Sequence, residues 1–233
     1  MRNAALDERL KGAAEFVRQG AVLADIGTDH AHLPIFLLEE GRIERAVLSD
    51  LNRGPLESAG KNAEAHGLSD KVSLVLQDGA VGLESYGVTD YAICGMGGEL
   101  IADIVAAAPA LRDPAVRLIL QPMSRQAHLR CAISALGFVI RAERYTFAAG
   151  KPYVCMMVEY TGEARSLKDA EAEVGMMPID GASHEYVTYL ESKLRAFRKI
   201  SDGKRLGGID NSYEDGIVLA IEKRLSEIKE MKI

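Results

Sequence analysis

The chain has no tryptophan and only three cysteines in 233 residues. Cys94, Cys131 and Cys155 are far apart, odd in number and form no C-x-x-C pair. This excludes a disulfide framework and a redox dithiol, and points to reduced, core cysteines of a cytoplasmic protein. His30, His32 and the cysteines lack metal-site spacing, so no metal is expected. No apolar run approaches a membrane span and no charged-then-apolar leader is visible, so no membrane partner is expected. Internal repeats and low-complexity segments are missing. There is no G-x-x-x-x-G-K-[ST], which argues against a P-loop. Of the dinucleotide fingerprint G-x-G-x-x-G only Gly27 is present, with Asp29 and Ala31 at the other glycine positions. A carboxylate at Asp29 repels a pyrophosphate and suits a ligand carrying positive charge.

Hydrophobic residues make up 48% of the chain and the formal net charge is −6. The length allows one ordinary domain plus a smaller appendage, and the charge excludes a bulk polyanion binder. The stretch from Ala21 to Pro34 organises the rest. It begins apolar, as a buried strand does, reaches Asp25-Ile26-Gly27, passes through small and polar residues and enters a helix. A carboxylate two residues before a glycine, at the end of a first strand, marks a ligand edge in doubly wound sheets. The glycine permits a turn and a close approach of backbone to ligand.

Strands are expected at 21–25, 46–50, 72–76, 91–94 and 116–120. Helices are expected at 4–19, 33–40, 55–66, 99–108 and 124–136, the last capped by Ser124. Two longer β-type runs, 138–147 and 153–160, are joined by Gly150-Lys151-Pro152. Alternation of this kind predicts an α/β fold with a mostly parallel sheet covered on both faces, closed by an antiparallel hairpin at one edge. The expected division is a domain over 1–161 and a helical one over 162–233. In the second, Val187, Leu190, Leu194 and Phe197 repeat at helical spacing, as do Val218, Ile221, Leu225 and Ile228. Between them lies the glycine-rich Ser201–Gly208, the expected tip of a helical hairpin or short antiparallel coiled coil. Lys193, Arg195, Arg198, Lys199, Lys204 and Arg205, with Asp202, give a net +5 over thirteen residues. That stretch is either a phosphate-attracting surface or a solvated helix face.

Asp25, Asp50 and Asp78 stand at the ends of the first three expected strands. Asp50 reads as a ribose acceptor or a helix-capping residue, and Asp78 as an adenine acceptor or a turn residue. Together they fit a nucleoside-containing cofactor without phosphates. Gly95-Met96-Gly97-Gly98 after the fourth strand either faces reacting groups with bare backbone or makes a tight turn. Gln121 after the fifth either binds a base edge or ties down a loop. The D/N-P-P-aromatic motif of many amino-group methylases is absent after the fourth strand. His30 and His32 face a cleft or serve structure.

The run Asp25-Ile26-Gly27-Thr28-Asp29-His30-Ala31 with Leu33-Pro34, the Gly95–Gly98 run and Leu120-Gln121-Pro122 resemble the bacterial TrmK family. These are S-adenosylmethionine-dependent methyltransferases acting on N1 of the adenine at tRNA position 22. The resemblance runs from about residue 4 to the C-terminal hairpin and is looser there. It implies a Rossmann-like class I methyltransferase fold with a C-terminal coiled-coil-like domain. It implies S-adenosylmethionine lying across the strand ends at Asp25, Gly27, Thr28, His30, Asp50, Leu51, Asp78, Gly79, Gly95 and Met96. It further implies catalytic roles for Asp29 and Gln121, Asp29 serving either the reaction or the cofactor's ammonium. The implied partner is tRNA, held through phosphates by Arg125, Arg130 and the basic stretch. A monomer is the simpler expectation, with the exposed side of the hairpin the place where a second copy would pair. The competing readings are a methyltransferase of another RNA, a protein or a small molecule, and a non-catalytic module binding RNA or a partner. An NAD-binding oxidoreductase is disfavoured by the missing glycines and by Asp29.

Overall fold

The computed structural model describes residues 6–178 and 181–231. Seven strands form one sheet: β1 (Ala21–Ile26), β2 (Ile43–Asp50), β3 (Val72–Leu76), β4 (Asp90–Gly97), β5 (Arg117–Ser124), β6 (Phe138–Ala148) and β7 (Lys151–Tyr160). Eight α-helices accompany them among the described residues: α1 (Glu8–Ala14), α2 (His32–Glu39), α3 (Arg53–Ala65), α4 (Gly98–Ala107), α5 (Gln126–Ala135), α6 (Asp169–Val174), α7 (His184–Leu206) and α8 (Ser212–Glu230). The spatial order is β3-β2-β1-β4-β5-β7-β6. The first five strands run parallel and β7 inserts antiparallel between β5 and β6. This is the expected α/β architecture.

Each central strand is apolar on both faces because helices cover both. Along β1, Val22, Ala24 and Ile26 join Ile101, Val105, Leu129 and Ile133 from α4 and α5. Ala21 and Leu23 face the other way, onto Ala13, Val17, Leu33 and Ala59 from the side of α1 to α3. The chain steps outward from β1 to β3, then returns to β4 on the opposite side of β1. That reversal opens a crevice beyond the carboxyl ends of β1 and β4.

The C-terminal helices pack against the β6–β7 side of the first face. The Tyr145 ring on β6 lies 4.6 Å from that of Tyr186 and 4.8 Å from that of Tyr189, both on α7. Two boundary expectations are corrected here. Ser124 ends β5 and does not cap α5; Arg125, at φ +55°, precedes the helix. The turn passes so close to the start of α4 that a Cβ on Gly98 would stand 2.5 Å from the Arg125 carbonyl oxygen, an approach only glycine allows. The hairpin tip is also shorter than Ser201–Gly208, since α7 continues through Gly203 to Leu206. The cost of a mid-helix glycine, about 1 kcal/mol, is offset by side chains that tie the last turns of α7 to α8. Lys204 Nζ lies 2.8 Å from both oxygens of the buried Glu214, and Ser201 Oγ donates to Asp215 Oδ1 at 2.5 Å. The first described helix spans Glu8–Ala14 rather than 4–19; residues 4 and 5 of that expectation lie outside the described residues.

Candidate active site

β1 ends in the crevice with Asp25 buried. Burial pushes its carboxyl up to about 6; the Thr28 hydroxyl pulls the other way and the charge of Asp50 adds to the rise. The Ser49 carbonyl accepts from the N–H groups of Gly27 (2.8 Å) and Thr28 (3.1 Å), which locks the turn after β1 to the end of β2. Gly27 sits at φ +73°, and a Cβ there would stand 2.0 Å from Met96 Cε. The glycine therefore lets the Met96 thioether, a flexible side chain, lie across bare backbone. The hydroxyls of Thr28 and Ser49 are buried without a well-formed hydrogen bond. Orphaned donors of this kind at strand ends are what a polar ligand completes.

Asp50 and Asp78 follow on the next two strand ends. Asp50 Oδ1 accepts from the Asn52 amide at 2.6 Å, so one oxygen shapes the turn into α3. The Gln77 N–H to Asp50 carbonyl bond, 3.0 Å, joins the ends of β3 and β2. Asp78 is exposed and its carboxylate makes no hydrogen bond among the described residues, which leaves it free for a ligand. Gly79, φ +69°, turns the chain back beside it, and Leu51 is 63% exposed at the rim.

Asp29 stands at the mouth, its side chain 74% exposed and 3.5 Å from His30 Nε2. His30 is anchored to α3: its Nδ1 pairs with Ser58 Oγ at 3.0 Å and its carbonyl accepts from Asn62 at 2.7 Å. His32 packs beside it, ring centroids 5.5 Å apart. Among the described residues no three His, Cys, Asp or Glu side chains converge as metal ligands.

At the ends of β4 and β5 the structure corrects a role. Gln121 is fully buried, and its Oε1 accepts from Arg9 Nη1 at 2.6 Å and from the Gly95 amide at 3.1 Å. Its Nε2 donates to the Pro122 carbonyl at 3.2 Å. The amide thus ties down a loop and presents no free edge to a base. It holds Gly95 at φ +81° where β4 bulges toward Met96. Arg9, on α1 and 112 residues away, is the partner that sequence reasoning missed. No local signal marks it, since only the fold brings α1 across the strand ends. Cys94 beneath them has its thiol pushed well up by burial and by Asp25, so it stays protonated.

A methyltransferase-domain family profile matches residues 6–156. The Bacillus subtilis tRNA (adenine(22)-N(1))-methyltransferase is 31% identical over 172 residues, 74% of this chain and 72% of that protein. This chain belongs to that methyltransferase family. The structure of Streptococcus pneumoniae Sp1610 in complex with S-adenosyl-L-methionine superposes with TM-score 0.78 at 34% identity, covering 94% of this chain and 99% of that one. M. capricolum TrmK, solved with S-adenosyl-homocysteine, gives TM-score 0.70 at 25% identity, covering 97% of each chain.

Within this methyltransferase the expected RNA-contacting cations divide. Arg130 is a correction: it is buried, with Nε 2.6 Å from Glu143 Oε1 and Nη1 2.7 Å from the Ala172 carbonyl. A guanidinium so enclosed reaches no phosphate. Arg125 is exposed at the crevice rim, 3.6 Å from Glu99. Most of the basic stretch is neutralised within the hairpin region. Lys193 pairs with Glu173, Arg198 with Glu222, Lys204 with Glu214, and Arg205 with Asp202 and Asp215. Arg195 and Lys199 are exposed and have no acidic partner among the described residues. The net charge of the stretch counted along the sequence therefore overstates what the surface presents.

Proposed function

We propose that this protein transfers the methyl group of S-adenosylmethionine to N1 of the adenine at position 22 of tRNA. The observation that carries the reading is the row of carboxylates Asp25, Asp50 and Asp78 at successive strand ends beside Gly27. It receives a nucleoside and the ammonium of an amino-acid end, and offers nothing to a phosphate. S-adenosylmethionine supplies an electrophilic methyl group on a sulfonium. The orphaned hydroxyls of Thr28 and Ser49, with the flexible Met96 thioether that can yield over Gly27, suit its polar methionine end. Asp50 keeps one oxygen for the ribose and Asp78 accepts from the adenine amino group.

Adenine N1 carries a free lone pair at neutral pH, so this chain needs no strong base. Its work is placement and charge. The Gly95–Gly98 backbone, held by Gln121, bounds the pocket without side-chain bulk. The methylated base is a cation, and Asp29 at the mouth stabilises that charge as it develops. The exposure of Asp29 supports a role toward the incoming base, and the burial of Asp25 supports a role with the cofactor. In folded tRNA the target base must leave its stack, at a cost of a few kcal/mol. Arg125, Arg195 and Lys199 supply phosphate contacts that hold the RNA while it does so. Residues 1–161 then form the catalytic part and 162–233 the RNA-facing part of a cytoplasmic monomer.

The test is methyl transfer from labelled cofactor to an unmodified tRNA transcript, with product nucleosides resolved by mass spectrometry. The expected product is 1-methyladenosine, lost when the adenine at position 22 is replaced. Cofactor binding without methylation of any of several tRNAs would overturn the substrate assignment and move a small-molecule or non-catalytic role ahead.

A further inference from the structure

We propose that Arg9 is the carboxylate-binding residue of the cofactor site, acting opposite Asp25, which takes the ammonium of the same amino-acid end. The inference rests on the function proposed above and adds a residue from outside the strand ends.

The fold delivers Arg9 by a specific route. Asp7 caps α1, its Oδ1 accepting from the Leu10 amide at 2.8 Å. Gly12 lets the helix lie close on β6, since a Cβ there would stand 3.1 Å from Thr146 Cγ2. With α1 laid across the sheet in this way, the Arg9 guanidinium arrives over the ends of β4 and β5. Its Nη1 lies 3.6 Å from the position a Cβ on Gly95 would occupy, directly above that bare backbone.

A guanidinium carries five N–H donors in a fixed fork. In Arg9 one reaches Gln121 Oε1 at 2.6 Å and another reaches the exposed Asp7 at 3.3 Å. The remaining donors have no partner among the described residues, and the side chain is 19% exposed. It is open enough to receive a ligand and enclosed enough for its charge to matter. If the residue served only to fix the Gln121 amide, a neutral donor would suffice. The charge is matched only by Asp7, a half-exposed carboxylate at 3.3 Å, and a pair so open to water leaves the cation able to hold a second anion through its remaining donors.

That charge has a counterpart. Cys94 is buried near enough to feel both charges: after burial itself, Asp25 pushes its thiol up and Arg9 pulls it down. Asp25 and Arg9 form no ion pair with each other. One buried anion and one half-buried cation, held apart at the switch point, match a zwitterionic amino-acid end of a ligand. Gly27 and Gly95, both at positive φ, form the floor here; the Met96 thioether lies over Gly27 and Arg9 itself over Gly95, and the thioether is a flexible cover that a ligand can displace.

The experiment compares two ligands on two proteins by calorimetry. The ligands are S-adenosylmethionine and decarboxylated S-adenosylmethionine, which keeps the ammonium and lacks the carboxylate. The proteins are wild type and Arg9→Met, each checked for folding by thermal melting, with Arg9→Lys as a second variant that keeps the charge. Wild type is expected to bind the complete cofactor at least tenfold tighter than the decarboxylated one. Arg9→Met is expected to lose tenfold or more on the complete cofactor and little on the other, so that the two affinities converge; Arg9→Lys retains part of the preference. Equal weakening of both ligands would overturn the assignment and leave Arg9 a brace for the Gln121–Gly95 turn. Unchanged affinities with a raised KM for tRNA would overturn it in favour of an RNA phosphate contact. If wild type binds neither ligand, the proposed function itself falls, an outcome distinct from failure of the Arg9 assignment.

Discussion

Arg130 and Glu143 are joined by a 2.6 Å ion pair whose side chains are 2% and 0% exposed. Glu143 also accepts from Tyr145 Oη at 2.5 Å and from the Met176 amide at 2.7 Å, while Arg130 reaches Tyr189 Oη at 3.3 Å. The network thus clasps β6, α5, α7 and the segment after α6. Removing one partner strands a buried charge, so Arg130→Met is expected to lower stability by about 3–5 kcal/mol. Adding Glu143→Leu is expected to recover part of the loss, because no unpaired charge remains. Urea unfolding of the single and double variants checks both. A single variant within about 0.5 kcal/mol of wild type would remove the clasp from the account.

Gly27→Ala is expected to destabilise the protein by about 1–2 kcal/mol and to weaken cofactor binding. The new Cβ meets Met96 Cε, and φ +73° strains any L side chain whatever the space. The first cost can be relieved, the second cannot. Adding Met96→Ala is therefore expected to restore only part of the stability. Full rescue, read from denaturant midpoints, would show that crowding alone requires the glycine.

The glycine and the acidic row were legible because their neighbours in sequence are also their neighbours in space. Strand, turn and helix follow one another within 21–34, and hydrophobic periodicity locates them. The strand ends shifted by only a few residues, β4 running on to Gly97 where the apolar run stops at Cys94. What was illegible depends on distant pairing. Gln121 reads equally as a base ligand or a loop tie, because nothing local reveals that Arg9 and Gly95 occupy its oxygen. Arg130 and the hairpin cations read as free charge because their carboxylate partners lie on other elements. Charge counted along a chain cannot register such pairing.

The raised carboxyl of Asp25 gives a pH signature. In the unfolded chain it titrates near its ordinary 3.8, and in the folded protein near about 6. Between these values the folded state binds more protons, so stability falls as pH rises through the window and the loss is complete above it. The full difference is about 3 kcal/mol. Asp25→Asn is expected to be the more stable protein at pH 8 and to lose that advantage toward pH 4. The cofactor's ammonium prefers the ionised form, so cofactor affinity is expected to rise from pH 5 to pH 7 in wild type and to stay flat in the variant. Denaturant midpoints and calorimetry across pH measure the two effects; identical profiles for the two proteins would remove Asp25 from the cofactor site.

Asp29 separates from Asp25 in the opposite readout. Its side chain is exposed at the mouth and is shared only with His30. Asp29→Ala is expected to lower kcat by about tenfold to a hundredfold while cofactor Kd changes by less than about threefold. Steady-state kinetics with tRNA and calorimetry with cofactor supply the two numbers. A loss confined to cofactor affinity would assign Asp29 to the ammonium instead.

The hairpin makes the last distinction. Arg195 and Lys199 lie four residues apart on one exposed face of α7, without acidic partners among the described residues. Arg198 and Lys204 are paired across to α8. If the hairpin meets RNA, cations free of partners hold its phosphates, because a paired one must first release its carboxylate. Arg195→Glu with Lys199→Glu is expected to weaken tRNA binding and to shrink its dependence on log salt by about 1.5, roughly 0.7–0.9 for each phosphate no longer neutralised. Arg198→Ala is expected to change the salt slope far less. Cofactor binding stays at its wild-type value in both variants, since the substitutions lie away from the strand ends. Equal slopes for the double variant and wild type would place the tRNA elsewhere, with the rim at Arg125 the next surface to test.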